Sequence, residues 1–443
     1  MSDTIVRDNW RGKAGVVLRL AVPTVLENFL MTVVGFVDTL LVARIGLQEV
    51  AAVGVTNAVV AVYIAVFMAM GIGTSSLVAR YLGAGETGKA SAIACQSTWL
   101  ALALGLFFGL VSAAFAEPLL YYMGTEQAVM GTAIVYFQIV AVPSLLISLT
   151  TIFGSILRSA GDTRSPLKVG VWVNLLHIVL VYLLTFGFDG WSGWGIAGTA
   201  WATTLSRLAG TLALYAAVRK SIVTFSPFKD WAGGHTLPLL AISGPAVAER
   251  LIMRLGQLLY AGLIVRLGTD VYSAFLFGGN ISYFSFMPGY GMAIAATTLV
   301  GGCVGAGQKR EAYTYGIVIM GLAAVFMGLI GAIYFFLAPL AGSWFSQDRH
   351  VIEMVAIGLR IDAFAQPFIA VSLVMAGALQ GAGDTRSPMY STVSGIWLVR
   401  VAGIYGLCFW FDLGIAGVWL VNLIDYIFRS AFLFYRFKQL LQD

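Results

Sequence analysis

The chain is predicted to be an all-α integral membrane protein of twelve transmembrane helices in two homologous six-helix lobes. Three observations carry that prediction. Charged residues make up 11% of the 443 positions and apolar residues 59%, where a soluble domain carries roughly 25% charge. The apolar residues fall into long stretches, each long enough for the roughly 20 residues that cross a bilayer. A seven-residue segment, Ala-Gly-Asp-Thr-Arg-Ser-Pro, occurs twice, at Ala160–Pro166 and Ala382–Pro388, so the chain repeats itself at an offset of 222 residues.

The spans follow from the breaks between them. The first, 18–43, ends at Arg44 and Gly46, and the second, 52–79, at Arg80 and the Gly83-Ala84-Gly85 turn. The third, 92–116, stops at Glu117-Pro118, and the fourth, 130–157, at Arg158 and the first Ala-Gly-Asp-Thr-Arg-Ser-Pro segment. The fifth, 167–187, and sixth, 195–218, flank a Gly- and Trp-bearing loop. After a charged stretch come 237–265, closed by Arg266 and Gly268, and 272–300, closed by Gly305 and Gly307. The last four, 313–338, 352–379, 389–411 and 415–437, are cut by Pro339 and Asp348-Arg349, by the second copy of the repeat segment, and by Asp412 and Gly414.

The same offset maps Pro23 and Glu27 onto Pro245 and Glu249, and Arg44 and Gly46 onto Arg266 and Gly268. The expected organisation is therefore an N-terminal lobe over 1–218, a cytoplasmic linker over 219–235 and a C-terminal lobe over 236–443. Six helices per repeat give both lobes one orientation, with a pseudo-twofold axis along the membrane normal and a substrate cavity near the midplane.

The net charge of +5 and a pI near 9.0 raise nucleic-acid binding, which needs clustered basic residues. With the N-terminus inside, sixteen Lys and Arg fall on that side and only Arg44, Arg266 and Arg349 on the other. The basic excess is thus a topology signal: a multi-pass protein of the cytoplasmic (inner) membrane with both termini cytoplasmic and no nucleic-acid partner. The first apolar stretch, from about Leu20 to Ala43, is too long for a signal-peptide core and lacks a small-residue cleavage site, so it is expected to be a retained spanning helix. Three scattered cysteines and three scattered histidines show neither a disulfide framework nor a metal-binding spacing.

Gly161 and Gly383 suit helix C-terminal positions, and Ser165-Pro166 and Ser387-Pro388 suit an N-cap followed by proline, which makes the repeat segments helix connectors. Gly105 and Gly109 read as close helix packing.

Ionisable groups inside apolar spans are costly and point to function unless they are paired. Asp425 and Arg429, four apart, can pair along one helix. Arg400 needs an interior acid, either Asp362 or Asp425. Arg207, Arg250 and Arg360 are assigned to span ends or to neighbouring acids. Glu27 and Asp38 stand apart. Eleven residues is three helical turns plus about 20°, which puts both on one face of the first helix, roughly 16 Å apart, with no Lys or Arg between them. An unpaired carboxyl there is neutral when closed off and ionised when a water-filled cavity opens, as proton coupling requires. The competing reading is a permanently protonated, packing carboxyl. Pro23, one turn before Glu27, permits a hinge that links protonation to bending. In the second half Glu249 is retained, but Tyr260 stands where Asp38 would be.

These residues resemble the multidrug and toxic compound extrusion (MATE) transporters. The resemblance rests on Pro23 with Val37-Asp38-Thr39, the connectors Ser159–Pro166 and Gly381–Pro388, Gly195-Ile196-Ala197-Gly198, and Gly414-Ile415-Ala416-Gly417-Val418-Trp419. Within the family the chain looks most like the prokaryotic branch that includes DinF. The resemblance implies cation-driven, alternating-access export of amphipathic, often cationic organic compounds, with no enzymatic reaction and no cofactor beyond a coupling ion, H⁺ or Na⁺. It assigns cation or proton binding to Asp38, aided by an Asn-x-x-x-Asp pair on the fifth helix and a threonine on the sixth. Here His177 and Val181 occupy the pair, Thr203 the threonine, and Asn174 lies one turn before His177; Asn28 is a further candidate contact. Losing the acid at Val181 favours H⁺ over Na⁺. Another branch uses acids of the C-terminal lobe, for which Glu249 and Asp362 are the candidates. A lipid-linked-precursor flippase is the related alternative. The expected partners are small organic cations, other amphipathic drugs and membrane lipid, and the chain is expected to act as a monomer.

Overall fold

The computed structural model describes residues 10–188, 190–225 and 236–442. Arg7, Lys229 and His235, and positions 226–235 of the linker, lie outside the described residues. Fourteen helices are labelled here: α1 Trp10–Ala43, α2 Leu47–Gly83, α3 Thr87–Ala114, the short α4 Ala116–Tyr122, α5 Gln127–Ala141, α6 Ser144–Ser159, α7 Arg164–Phe186 and α8 Ile196–Arg219, then α9 Thr236–Val265, α10 Thr269–Gly305, α11 Lys309–Ser343, α12 Arg349–Ala382, α13 Arg386–Trp410 and α14 Gly414–Gln442. The sole strand-like feature among the described residues is one bridge between Phe188 and Trp191.

All twelve sequence-derived spans are helical. Ten helices are individually long and apolar enough to cross a membrane, and the pair α5 and α6 adds an eleventh crossing broken by a 42° bend. Pro143 causes that break, because its ring denies the helix a donor and crowds the preceding turn. The twelfth crossing, α8, has the length but less apolarity, since Thr, Ser and Arg207 interrupt it. By contrast α1 runs unbroken through Pro23, and α9 through Pro245.

Two compact units emerge. One comprises Leu26–Val78 and Glu86–Val247; the other takes the chain up to Val25, Ala79–Gly85 and everything from Ala248. In the first, Phe67 of α2, Leu120 of α4 and Phe137 of α5 form a buried core, while α3 lies against α6. Gly105 and Gly109 make that approach possible, since a Cβ on either would overlap the Leu145 or Val142 backbone, as the packing reading of the pair requires.

In the second unit α12 is central and packs on α10, α11 and α14. Met292, Tyr315, Ile369 and Phe437 fill its core, with Val17 and Ala21 of α1 against them. Lipid tails are as apolar as these side chains, so close packing rather than water exclusion holds such helices together. The end of α2 shows how close. A Cβ on Gly83 would overlap the Gly302 carbonyl, and one on Gly305 would overlap the Arg80 carbonyl. Gly83 and Gly305 are repeat equivalents, as are Arg80 and Gly302, so the contact is made twice in mirrored roles.

The repeat segments are helix connectors with a different cap from the one predicted. Gly161 and Gly383 hold φ of +86° and +96° after α6 and α12, the left-handed turn that glycine permits. The following helices begin at Arg164 and Arg386, ahead of the serines. Aspartate does the capping: Asp162 accepts from the Arg164 and Ser165 amides at 3.1 and 2.9 Å, and Asp384 from the Ser387 amide at 2.9 Å. A carboxylate outcompetes a hydroxyl there because it also answers the positive end of the helix dipole.

α13 departs from α geometry twice, with π-helical turns over Ser394–Arg400 and Tyr405–Trp410. Gly395 lies in the first, where a Cβ would strike the side chains of Asp425 and Arg429.

Candidate functional site

Asp38, late in α1, faces α7. His177 Nε2 lies 2.9 and 2.8 Å from the two Asp38 carboxylate oxygens, so a proton on that nitrogen is donated to the acid. The imidazole side chain is 8% exposed and the carboxylate 30%; the ring is held in the packing while the acid stays partly open. Val181, one turn beyond His177, is fully buried and supplies no ligand.

Arg207, assigned otherwise from sequence, and Tyr136, which the sequence reading passed over, complete this site. Arg207 sits in the middle of α8 rather than at a span end, which corrects its assignment to snorkelling, and donates to the Val140 carbonyl at 3.5 Å. Arg207 and the buried Tyr136 of α5 both lie within electrostatic reach of Asp38. The Tyr136 hydroxyl lies near Thr203, whose own hydroxyl donates to the Thr199 carbonyl at 3.0 Å. Thus α1, α5, α7 and α8 bring together Asp38, His177, Tyr136, Thr203 and Arg207. Asn174 shares the His177 face of α7. Its side chain, like that of Asn28, forms no hydrogen bond among the described residues; the Asn28 carbonyl accepts from Thr32 at 3.2 Å.

Glu27 is a correction. The absence of a base along α1 suggested an unpaired acid, but Arg158 Nη1 of α6 reaches its two oxygens at 3.3 and 3.4 Å, and both side chains are 17% exposed. Arg158, counted from sequence as a flanking topology charge, turns back over Gly154, whose missing side chain leaves room for the guanidinium.

In the other unit, Glu249 accepts from Thr392 at 3.0 Å, and its second oxygen is buried without a partner among the described residues. Asp362 accepts from Ser282 at 2.5 Å and Gln366 at 2.6 Å. No contact is shared between these two acids. Arg400 has Asp425 as its acid, at 2.6 Å, and Arg429 takes the other oxygen at 2.7 Å. Asp425 is fully buried, and Arg400 lies between the Tyr260 and Tyr426 rings, 5.5 and 5.3 Å from their centres. Tyr260, at the position equivalent to Asp38, donates to the Val418 carbonyl at 3.0 Å. Among the described residues no group of three or more His, Cys, Asp and Glu is placed to hold a metal ion.

Two repeats of six crossing helices, one carrying a half-exposed acid on an imidazole, describe a membrane transporter. The MatE family model matches residues 23–183 and 245–405, once per repeat and with the same 222-residue displacement. The chain is similar to "Probable multidrug resistance protein NorM" of Thermotoga maritima, 30% identical over 94% of this chain and 90% of that one. It also resembles "Multidrug resistance protein PmpM" of Pseudomonas aeruginosa, 28% identical over 92% and 88%. Among solved structures, a crystal structure of MATE in complex with MaD3S superposes with a TM-score of 0.89 at 22% identity, covering 97% of each chain. An outward-facing multidrug resistance MATE family transporter of the MOP superfamily gives 0.88 at 22% identity, covering 97% and 96%. The chain belongs to the MatE family and is a MATE transporter.

Proposed function

We propose that this chain is a multidrug efflux antiporter of the cytoplasmic membrane that exports amphipathic, often cationic organic compounds in exchange for H⁺. In this reading it works as a monomer with both termini cytoplasmic, in the manner of the DinF-like branch. The observation that carries the proposal is the direct contact of Asp38 with His177. A carboxylate so placed can be satisfied by the imidazole, by a proton or by a cationic substrate. A proton that arrives from outside neutralises the acid, weakens its hold on a bound cation and releases the cargo outward. Loss of the acid at Val181 leaves fewer anionic oxygens for Na⁺, which suits protons better. Pro23 supplies the point in α1 at which protonation can change the helix axis.

The second reading is Na⁺ coupling through Glu249 and Asp362. It draws support from the oxygen-rich surroundings of Asp362, with Ser282 and Gln366 against it. Proteoliposomes in which ΔpH and Na⁺ are varied independently separate the two. Proton coupling requires export driven by ΔpH alone and lost in Asp38→Asn; full transport by that variant would sink the role of Asp38. Transport that needs Na⁺, ignores ΔpH and disappears in Glu249→Gln would establish the second reading.

A further inference from the structure

The first helix of each repeat is divided between the two units. α1 passes from one to the other between Val25 and Leu26, and α9 between Val247 and Ala248. The two crossings are 222 residues apart, the offset of the repeat, and each lies two residues past a proline, Pro23 or Pro245. A proline inside a helix removes one of its hydrogen bonds and crowds the preceding turn. Each helix therefore changes unit where it bends most readily.

The two first halves are not fastened alike. That of α1 enters the core of the C-terminal unit through Val17 and Ala21, and a Cβ on Gly291 of α10 would overlap the Val25 side chain. At its start, Lys13 Nζ meets Glu311 in the first turn of α11 at 2.6 Å. The lysine side chain is 7% exposed and the glutamate 33%. The ammonium also lies 5.4 Å from the centre of the Tyr315 ring, which is buried one turn along α11. No other basic side chain is within salt-bridge distance of Glu311 among the described residues. The counterpart of Glu311 in the first repeat is Lys89, and it pairs with its own neighbour Glu86. The first half of α9 is thus held by packing, as where a Cβ on Gly73 of α2 would overlap Ser243, with no acid at the equivalent place.

An ammonium buried without its counter-ion is costly. Lys13 therefore parts from Glu311 by leaving the packing, and the turn of α1 that carries it leaves too. We propose that the Lys13–Glu311 pair, with the Tyr315 ring beneath the ammonium, is a latch of the transport cycle. Closed, it fixes the first half of α1 on α11; open, it lets that half swing about Pro23 while the second half keeps Asp38 on His177. Lys13 is in this sense a positioning residue for transport that touches no cargo. The inference rests on the alternating-access reading and on neither the coupling ion nor the cargo.

The test uses the full chain in nanodiscs with Val17→Cys as reporter. Val17 is fully buried and lies one turn past Lys13 on the same face of α1. The rate of maleimide labelling is read for each cysteine separately by peptide mass spectrometry, with the buried Cys95 and Cys408 as internal controls. Lys13→Gln, and separately Glu311→Gln, are expected to speed labelling at position 17 about tenfold or more, the scale of one lost charge-assisted hydrogen bond, and to leave both controls within about twofold. Lys13→Arg, which keeps the charge, is expected to retain slow labelling. Labelling at position 17 that stays within about twofold in both glutamine variants would overturn the latch. So would equal acceleration at Cys95 and Cys408, since the substitution would then have loosened the fold as a whole. Faster labelling at position 17 alone, in a protein whose parent exports no organic cation from proteoliposomes, would remove the efflux reading and leave the latch standing.

Discussion

Replacing Asp425 with asparagine keeps the shape of the side chain and removes its charge. In the native protein this buried acid holds Arg400 at 2.6 Å and Arg429 at 2.7 Å. Asparagine offers one oxygen to two donors and turns its own amide donor toward the other guanidinium. Removing one partner from a buried ion pair costs about 3–5 kcal/mol. For a unit of about 200 residues the unfolding entropy corresponds to roughly 0.4 kcal/mol per degree, so a fall of about 10 °C in the unfolding midpoint is expected. Thermal unfolding of the purified protein in detergent measures it. Asp425→Asn combined with Arg400→Gln is expected to recover part of the loss, because one stranded cation has been removed with its counter-ion. A fall of less than about 2 °C for the single variant, or a double variant worse than the sum of the singles, would refute the idea that Asp425 neutralises this cluster.

His177→Leu is expected to slow ΔpH-driven export about tenfold, the equivalent of one charge-assisted hydrogen bond, and His177→Asn less, since its amide still donates; initial rates in proteoliposomes decide. Glu27→Gln should lower thermal stability by about 1–3 kcal/mol by weakening the buried contact between α1 and Arg158 of α6, read in the same unfolding assay. Gly305→Ala, which forces a methyl onto the Arg80 carbonyl, should destabilise by about 1–3 kcal/mol. Gly262→Ala, with open space around it, should be neutral or stabilising by up to about 1 kcal/mol, as alanine favours helix more than glycine.

Much of this molecule can be read from its residues, for identifiable reasons. The helices are legible because spanning a bilayer demands long apolar runs, and duplication because it leaves matched residues at a constant offset. Asp425 and Arg429 are legible because four residues is one helical turn. The partner of Arg400 needed the fold, since nothing local distinguishes Asp362 from Asp425 as its acid. Arg158 was misread because a base near a span end looks the same whether it meets the membrane surface or turns inward to an acid 131 residues away. A signal was present: Gly154, one turn before Arg158, vacates the space its guanidinium fills, and Gly395 makes room for Asp425 and Arg429 in the same way. Tyr136 was missed because a tyrosine on an apolar helix resembles core, and Arg207 was misassigned because only the meeting of α5, α7 and α8 sets both near Asp38.

The doubled contact of Gly83 with Gly302 and of Gly305 with Arg80 has a mechanical consequence. Where α2 meets α10, main chain rests on main chain at Gly83 and Gly305. Such a joint can part without any rotamer changing and can close again onto one unique fit, because a bare peptide surface offers no alternative set of knobs and holes. In that sense it is built as a clasp rather than a spring. Because each half of the duplicated chain presents a glycine and a carbonyl, neither leaf of the clasp leads the other.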